Sequence, residues 1–390
     1  MELKTIKDVD VKGKRVFLRV DFNVSMNGDE IADDFRIKAA LKTIDYLIDN
    51  DAKLVIATHL GRPEGRDAHF STKKLAMRLK EYIGRDIKFV PECIGSYVRS
   101  AVDNLQPKEV IMLENLRFYS EEEKNDEQFA SELASLADIY VNDAFSVCHR
   151  THASVSAITK HLPSYSGFLL DNEISVLSSI YNHPDKPLVI AIGGAKAQTK
   201  VEVIKRFFDK ADHILVGGVM ANVILEASGR SIGKSAINGD ISKELEGVDL
   251  SLPKLHIPVD VVIAKEVSEN AKTKVVGIGA VDEDSIILDI GPETVALFSE
   301  IVKDAKTVVW NGPLGYSEIK TFARGTDTFA KSLCKSNAYK IIGGGDSITA
   351  LDKIGMLDNI DFVSTGGGAM LEFLAGNKMP GIEPLMASKQ

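Results

Sequence analysis

Short apolar runs, each closed by glycine or by a chemically capable polar residue, set the rhythm of this chain. In the first half they are RVFLRVDFNV (15–24), KLVIATHLG (53–61), IKFV (87–90), EVIMLEN (109–115) and DIYVNDAF (138–145). The second half has PLVIAIGG (187–194), HILVGG (213–218), IILDIG (286–291), TVVWNG (307–312), YKIIGGG (339–345) and DFVSTGGG (361–368). Near-continuous Val, Ile and Leu, rather than strict alternation, predict strands covered on both faces. Between them, STKKLAMRLKEYIG (71–84) and EQFASELASLA (127–137) predict amphipathic helices. Strand alternating with helix, twice over, predicts an α/β fold of two Rossmann-like three-layer domains with mainly parallel sheets. HLPSYSGFLLDNEISVL (161–177), with Pro163 and Gly167 ahead of a helical pattern, is the expected hinge.

The residues that close the runs matter more than the runs. Open parallel sheets bind ligands beyond the carboxyl ends of their strands. In the first half those ends carry Asp21, Asn23, His59, Arg62, Arg117, Asn142 and Asp143; in the second they carry mostly bare glycine backbone. The contrast predicts two different ligands, one per domain, facing a shared cleft. Arginine usage agrees: ten of the thirteen arginines precede residue 151. A planar guanidinium fork suits carboxylate and phosphate, so the first half is expected to recognise a small anion.

Composition removes several classes. A net charge of −9 argues against nucleic acid as the main ligand. No apolar run approaches the roughly 18 residues needed to cross a bilayer, so no membrane role is expected. The charged start, MELKTIKDVDVKGKRV, lacks the apolar core of a secretory leader. Three scattered cysteines, Cys93, Cys148 and Cys334, fit a reducing cytoplasm and argue against a disulfide framework or a structural zinc site.

Several motifs compete for the glycines. GGGDSI (343–348), GGGAML (366–371) and GIGAVD (277–282) all lack the third glycine of the dinucleotide fingerprint, which weakens an NAD-dependent oxidoreductase reading. GRSIGKS (229–235) misses the phosphate-loop spacing by one residue and follows a helical pattern. CHRTH (148–152) has no second cluster to complete a metal site, so a structural reading is preferred. THLGRPEGR (58–66) reads on spacing alone either as a strand end and loop or as an anion site built on His59, Arg62 and Arg66.

The glycine triplets themselves, in GGGDSITALDKIG and GGGAMLEFLAG, each end a strand and open a helix, where unpaired N–H groups and a partial positive charge favour an anion. IGGAKAQTK (192–200) repeats the design and adds Lys196 and Lys200, four apart on one helix face. Asp346 after the first triplet reads either as a helix N-cap or as a ligand of Mg²⁺ carried by a nucleotide. Backbone cradle, lysines and one carboxylate together favour phosphoryl transfer over hydride transfer.

These motifs also occur in the order of a known family. RVDFNV (19–24), THLGRP (58–63), ENLRF (114–118), VNDAF…HR (141–150), GGAK…K (193–200), WNGPLG (310–315), GGGDS (343–347), STGGGA (364–369) and MPGIEPL (379–385) closely resemble phosphoglycerate kinase over essentially the whole chain. The resemblance implies a cytoplasmic, two-lobed monomer of glycolysis and gluconeogenesis. It would interconvert 1,3-bisphosphoglycerate plus ADP with 3-phosphoglycerate plus ATP, using Mg²⁺, by direct in-line transfer after domain closure. Residues 1–165, with a returning segment near 378–390, would hold 3-phosphoglycerate; residues 166–377 would hold the nucleotide.

By motif match, Asp21 and Asn23 would meet the hydroxyl and carboxyl region of 3-phosphoglycerate. Arg62, Arg117 and Arg150 would grip its remote phosphate, with His59 in the same basic patch and Arg36 beside the reacting carboxyl. Lys196 would bind nucleotide phosphate, Lys200 the phosphoryl group in flight, and Asp346 the metal. Glu318 would hold the ribose, Gly217 and Gly218 the adenine, and Asn311 would lie near the phosphates. Gly194, Gly343, Gly344, Gly345 and Ser347 complete the expected nucleotide site; Gly367 and Gly368 join Arg36 and Lys200 as expected catalytic groups. Three departures leave rate and nucleotide affinity open: Ala197, Gln198 and Thr199 replace the common Val-Ser-Asp, Ser146 stands for glycine, and Ser317 for phenylalanine. Nothing in the sequence separates ATP from GTP.

The reaction suits these residues. A carboxylate acceptor with a pKa of about 3.5 is already ionised and needs no general base. The obstacle is an anion attacking an anionic phosphate, which Arg36, Lys200, Mg²⁺ and the helix start at 366–368 would offset. The rival that keeps this architecture is a catalytically silent nucleotide-binding scaffold; intact Arg36, Lys200 and Asp346 argue against it.

Overall fold

β1, Arg15–Val20, shows how the first sheet is built. Val16, Leu18 and Val20 pack with Ile44 and Leu47 in one buried cluster, while Phe17 joins Val98, Phe129 and Tyr140 in another. Successive strand side chains point to opposite faces, so a strand with helices on both sides needs apolar residues at nearly every position. A computed structural model describes residues 2–195, 198–237, 245 and 248–387 of the chain. Contacts divide it into two compact units, Met1–Val176 with Lys378–Gln390, and Leu177–Asn377.

In the first unit, β1 is followed by a small hairpin of β2 (Met26–Asn27) and β3 (Glu30–Ile31), then β4 (Lys53–Ala57), β5 (Ile87–Val90), β6 (Val110–Leu113), β7 (Ile139–Asp143) and β8 (Ser164–Ser166). The main sheet runs β5-β6-β4-β1-β7-β8, every pair parallel. Its helices are α1 (Phe35–Asp49), α2 (Lys73–Ile83), α3 (Ser96–Asp103), α4 (Ser120–Glu123), α5 (Glu127–Ala134) and the start of α6 (Phe168–Asn182). Local chemistry sets their ends. Asp126 accepts the Phe129 N–H at the start of α5, and α2 stops at Gly84, whose φ of 63° is left-handed.

The second unit repeats the plan with β9 (Leu188–Ile192), β10 (His213–Val216), β11 (Leu255–His256), β12 (Asp260–Ala264), β13 (Lys274–Gly277), β14 (Ile286–Ile290), β15 (Thr307–Asn311), β16 (Tyr339–Gly343) and β17 (Phe362–Val363). A parallel sheet runs β11-β10-β9-β15-β16-β17. Helices α7 (Gln198–Phe207), α8 (Gly218–Ala227), α9 (Pro292–Asp304), α10 (Arg324–Lys335), α11 (Gly345–Lys353) and α12 (Gly368–Ala375) accompany it. Trp310, Phe298 and Phe329 are fully buried at its core and stack edge to face. Each such side chain contributes roughly 1.5–3 kcal/mol of burial.

One expected strand sits elsewhere. IILDI at 286–290 does not join the parallel sheet; as β14 it pairs antiparallel with β12 in a separate sheet ordered β13-β12-β14. A short apolar run cannot distinguish parallel from antiparallel partners, and only the half-buried Ile286 and Ile287 at its start hint at a less covered strand.

Candidate active site

In the first unit the loops after β1, β4 and β6 carry Asp21, His59 and Arg117, and Arg36 of α1 joins them. Asp21, 7% exposed, follows β1 and pairs with Arg36 of α1. Its Oδ2 also accepts the Ser146 hydroxyl, and its Oδ1 accepts the Asn23 N–H at 2.9 Å. Asn23 in turn accepts the Gly61 N–H at 2.8 Å, tying the β1 loop to the β4 loop. His59, buried just past β4, stands 3.8 Å from Asp21 and 3.3 Å from Arg19. Arg117, past β6, donates to the Gly61 carbonyl at 2.5 Å and lies 3.4 Å from Glu123. Arg150 is half-buried and donates to His149 at 3.3 Å; Arg62 is exposed.

Electrostatics mark this cluster as unsatisfied. Burial, then Arg19, Arg117 and Arg36, hold the His59 imidazole well below its ordinary value, so it is neutral. Burial lowers Arg117 to about 10; Glu123 opposes this, while Arg150, Arg19 and Arg62 add to it. The guanidiniums stay charged near neutral pH but repel one another. A bound dianion would relieve that repulsion, which is the physical signature of an anion pocket.

Beneath it lies a network that sequence reasoning missed. Arg19, 1% exposed within β1, donates to Ser154 at 2.8 Å and sits 3.9 Å from Glu122. Glu122 accepts the Ser154 N–H and hydroxyl and stands 3.9 Å from His152. The signal was available: a charged residue inside an apolar strand must find buried partners. His152 is thus packed against this carboxylate, and Cys148 is buried 3.5 Å from Asn142. That is the structural reading of the CHRTH segment. Asn142 spans to the Gly381 carbonyl at 3.0 Å, fixing the returning C-terminal segment. Asp143 is buried and accepts the Leu170 N–H at 3.0 Å near the start of α6.

In the second unit, loops after β9, β10, β15 and β16 meet backbone to backbone. Gly193 N–H donates to the Asn311 carbonyl, Gly194 to Pro313 and Gly218 to Leu314, at 2.9, 2.6 and 2.9 Å. A Cβ on Gly193 would strike the Pro313 carbonyl, one on Gly217 would strike Leu314, and one on Gly343 would strike Met370. These glycines are small because protein crowds them. Gly345, Gly367 and Gly368 differ: nothing lies within 4 Å of where their Cβ would stand. At these three positions the side-chain direction opens onto free space rather than onto protein.

The helix starts agree. α11 and α12 have Gly344 and Gly367 at their N-caps, and no cap side chain accepts from their first N–H groups. Asp346 is exposed in the first turn of α11 and makes no cap hydrogen bond, which removes its N-cap reading. Ser347 turns inward and accepts the Gly312 N–H at 2.7 Å. The Asn311 amide nitrogen, close to Gly344, is buried without a hydrogen-bond partner among the described residues. Lys200, on α7 and 4% exposed, donates to the Gly193 carbonyl. Lys196 and Ala197 lie outside the described residues.

A cavity of about 330 Å³ opens beside these loops, lined by Gly194, Gly218, Leu225, Leu314, Glu318 and Asp346 among others. Mostly apolar walls with a few polar groups suit a nucleoside. No cluster of three metal-ligating side chains occurs among the described residues. Asp346 alone fits a hard divalent cation that takes its remaining oxygens from phosphate and water.

Arginines gathered at the end of one parallel sheet, and a buried lysine with open glycine helix starts at the end of another, are features that suit an α/β phosphotransferase. The profile of the phosphoglycerate kinase family matches residues 6–377. The chain is 44% identical to the phosphoglycerate kinase of Pelotomaculum thermopropionicum, over 99% of this chain and 100% of that one. It is 47% identical to the Aquifex aeolicus enzyme, over 97% and 96%. The solved phosphoglycerate kinase of Coxiella burnetii matches with a TM-score of 0.85 at 37% identity, covering 98% and 99%. This chain belongs to the phosphoglycerate kinase family. No helix among the described residues is long and apolar enough to cross a membrane.

Proposed function

We propose that the first unit binds 3-phosphoglycerate and the second binds Mg·ATP, the chain acting as a monomer in the cytoplasm. The observation that carries this reading is the set of Arg19, Arg117 and Arg36 around a neutral His59, with Arg150 and Arg62 adding positive charge beside Arg117, an excess that asks for an anion. Arg62, Arg117 and Arg150 take the remote phosphate; Asp21 and Asn23 take the hydroxyl and carboxyl end. Arg36 neutralises the attacking carboxylate. That oxygen bonds to the γ-phosphorus as the bond to the β–γ bridging oxygen breaks, and the electron pair leaves on ADP. Lys200 and the N–H groups at Gly367 and Gly368 stabilise charge on the oxygens in flight. Gly217 and Gly218 face the base, Glu318 the ribose, and Gly194, Lys196, Asn311 and Gly343–Ser347 the phosphates. Asp346 would hold Mg²⁺, which when bound neutralises β- and γ-phosphate oxygens. Transfer requires the reacting oxygens within roughly 3–3.5 Å, so a hinge motion near 161–177 closes the enzyme around both ligands. A coupled ATP-consumption assay tests the acceptor: 3-phosphoglycerate supports turnover, while glycerate, lacking the phosphate, loses most of it. Equal rates with both would overturn the arginine assignment.

A further inference from the structure

A second cavity in the nucleotide-binding unit, about 850 Å³, lies among β12, β13, α9 and the first turn of α10. Its lining includes the apolar Val262, Val275, Ile290 and Val295. Lys320 and Arg324 also line it, both exposed, and among the described residues neither makes an ion pair or a side-chain hydrogen bond. We propose that this cavity binds a small organic anion, an apolar or aromatic body bearing one carboxylate, sulfonate or phosphate, and that its occupancy alters nucleotide binding.

The size lies within the range of small-molecule sites, and an apolar lining with a few polar groups is their usual composition. Two cations without partners face one exposed carboxylate, Glu269, leaving a positive excess for an anion to neutralise. Asp289, the other acid in the lining, is buried. Desolvation pushes its carboxyl up to about 8, although the Gly325 and Ile290 N–H groups pull the other way. Near neutral pH it therefore adds little opposing charge.

The coupling has a physical route. Gly325, in the first turn of α10, donates to Asp289 at 2.7 Å. The neighbouring Thr326 hydroxyl accepts the N–H groups of Leu314 and Gly315 at 3.0 and 3.2 Å. Leu314, Gly315 and Asp289 also line the first cavity. A ligand drawn onto Arg324 thus loads the turn that holds one wall of the nucleotide pocket. This half of the proposal rests on the nucleotide reading above; the binding half does not.

Anilinonaphthalene sulfonate, followed by fluorescence with Mg·ADP and 3-phosphoglycerate saturating, reports the cavity alone. One probe per chain is expected to bind, at least about tenfold more weakly in the Lys320→Glu/Arg324→Glu double variant and in Ala296→Trp, which fills the mouth. Calorimetry checks that both variants stay folded. No binding with the other sites saturated, or binding indifferent to both variants, overturns the site. Linkage requires that bound probe and nucleotide change each other's affinity by the same factor. A nucleotide affinity constant across the probe titration overturns the coupling while leaving the site, and a failure of Mg·ADP to bind would instead indict the nucleotide reading.

Discussion

Arg36→Ala separates what this side chain does for the fold from what we assign it in the reaction. The Arg36 side chain is 28% exposed and that of its partner Asp21 only 6%. Truncation leaves a carboxylate out of water, held by the Ser146 hydroxyl and the Asn23 N–H. Removing one member of a buried pair costs roughly 3–5 kcal/mol; two surviving donors and partial exposure place this one at about 2–3 kcal/mol. A unit of this size loses about 2–4 °C per kcal/mol, so its melting temperature should fall by roughly 4–12 °C. Adding Asp21→Asn should recover much of that loss, because it removes the stranded charge. Turnover should fall at least about a hundredfold in both variants, as for a lost transition-state contact. Scanning calorimetry and the coupled assay read the two effects separately. Near-normal turnover in Arg36→Ala would refute the catalytic assignment, and an unchanged melting temperature would refute the buried-pair argument.

Three further outcomes follow from the same geometry. Lys200→Met should lower kcat at least about a hundredfold with the fold retained, and Lys200→Arg should not restore it, since a planar fork does not replace a buried point charge; single-turnover kinetics decides. Gly218→Ala places a Cβ 2.7 Å from the Gly194 nitrogen at φ +57°, and should cost stability by more than the roughly 1–2 kcal/mol of left-handed strain. Gly345→Ala meets nothing and should fold normally yet raise KM for nucleotide; denaturant midpoints and KM separate the two classes of glycine. Burial raises Asp143 from 3.8 to about 7, so the native state keeps a proton that the unfolded chain releases. Stability from this group is therefore present below about pH 4 and lost as pH rises through 7, by up to about 4 kcal/mol. Asp143→Asn should remove that slope in urea unfolding followed from pH 4 to 8.

Much of the fold was legible because parallel strands covered on both faces leave apolar runs that few other structures need. β1, β4, β9 and β15 all announced themselves this way. β8 did not: SYS at 164–166 has no apolar run, and its place beside β7 is set by backbone pairing. Nor did the orientation of β14, which depends on β12, a partner the sequence reading passed over. At the site, residue types were readable and their partners were not. Asp21 and Arg36 stand fifteen positions apart on different elements, and only the fold shows them paired, with Ser146 as a third member. The glycines carried a mixed message. Loop crowding requires Gly193, Gly217 and Gly343, whereas Gly345, Gly367 and Gly368 leave open space, and spacing alone cannot distinguish the two demands.

The division of substrates between the units is tested most directly by amide hydrogen exchange with each ligand alone. The account predicts that 3-phosphoglycerate slows exchange around 21–23, 59–62, 117 and 150, and that Mg·ADP slows it around 193–200, 217–219, 311–318 and 343–347. Protection by Mg·ADP in the arginine pocket, or by 3-phosphoglycerate at the glycine loops, would contradict it.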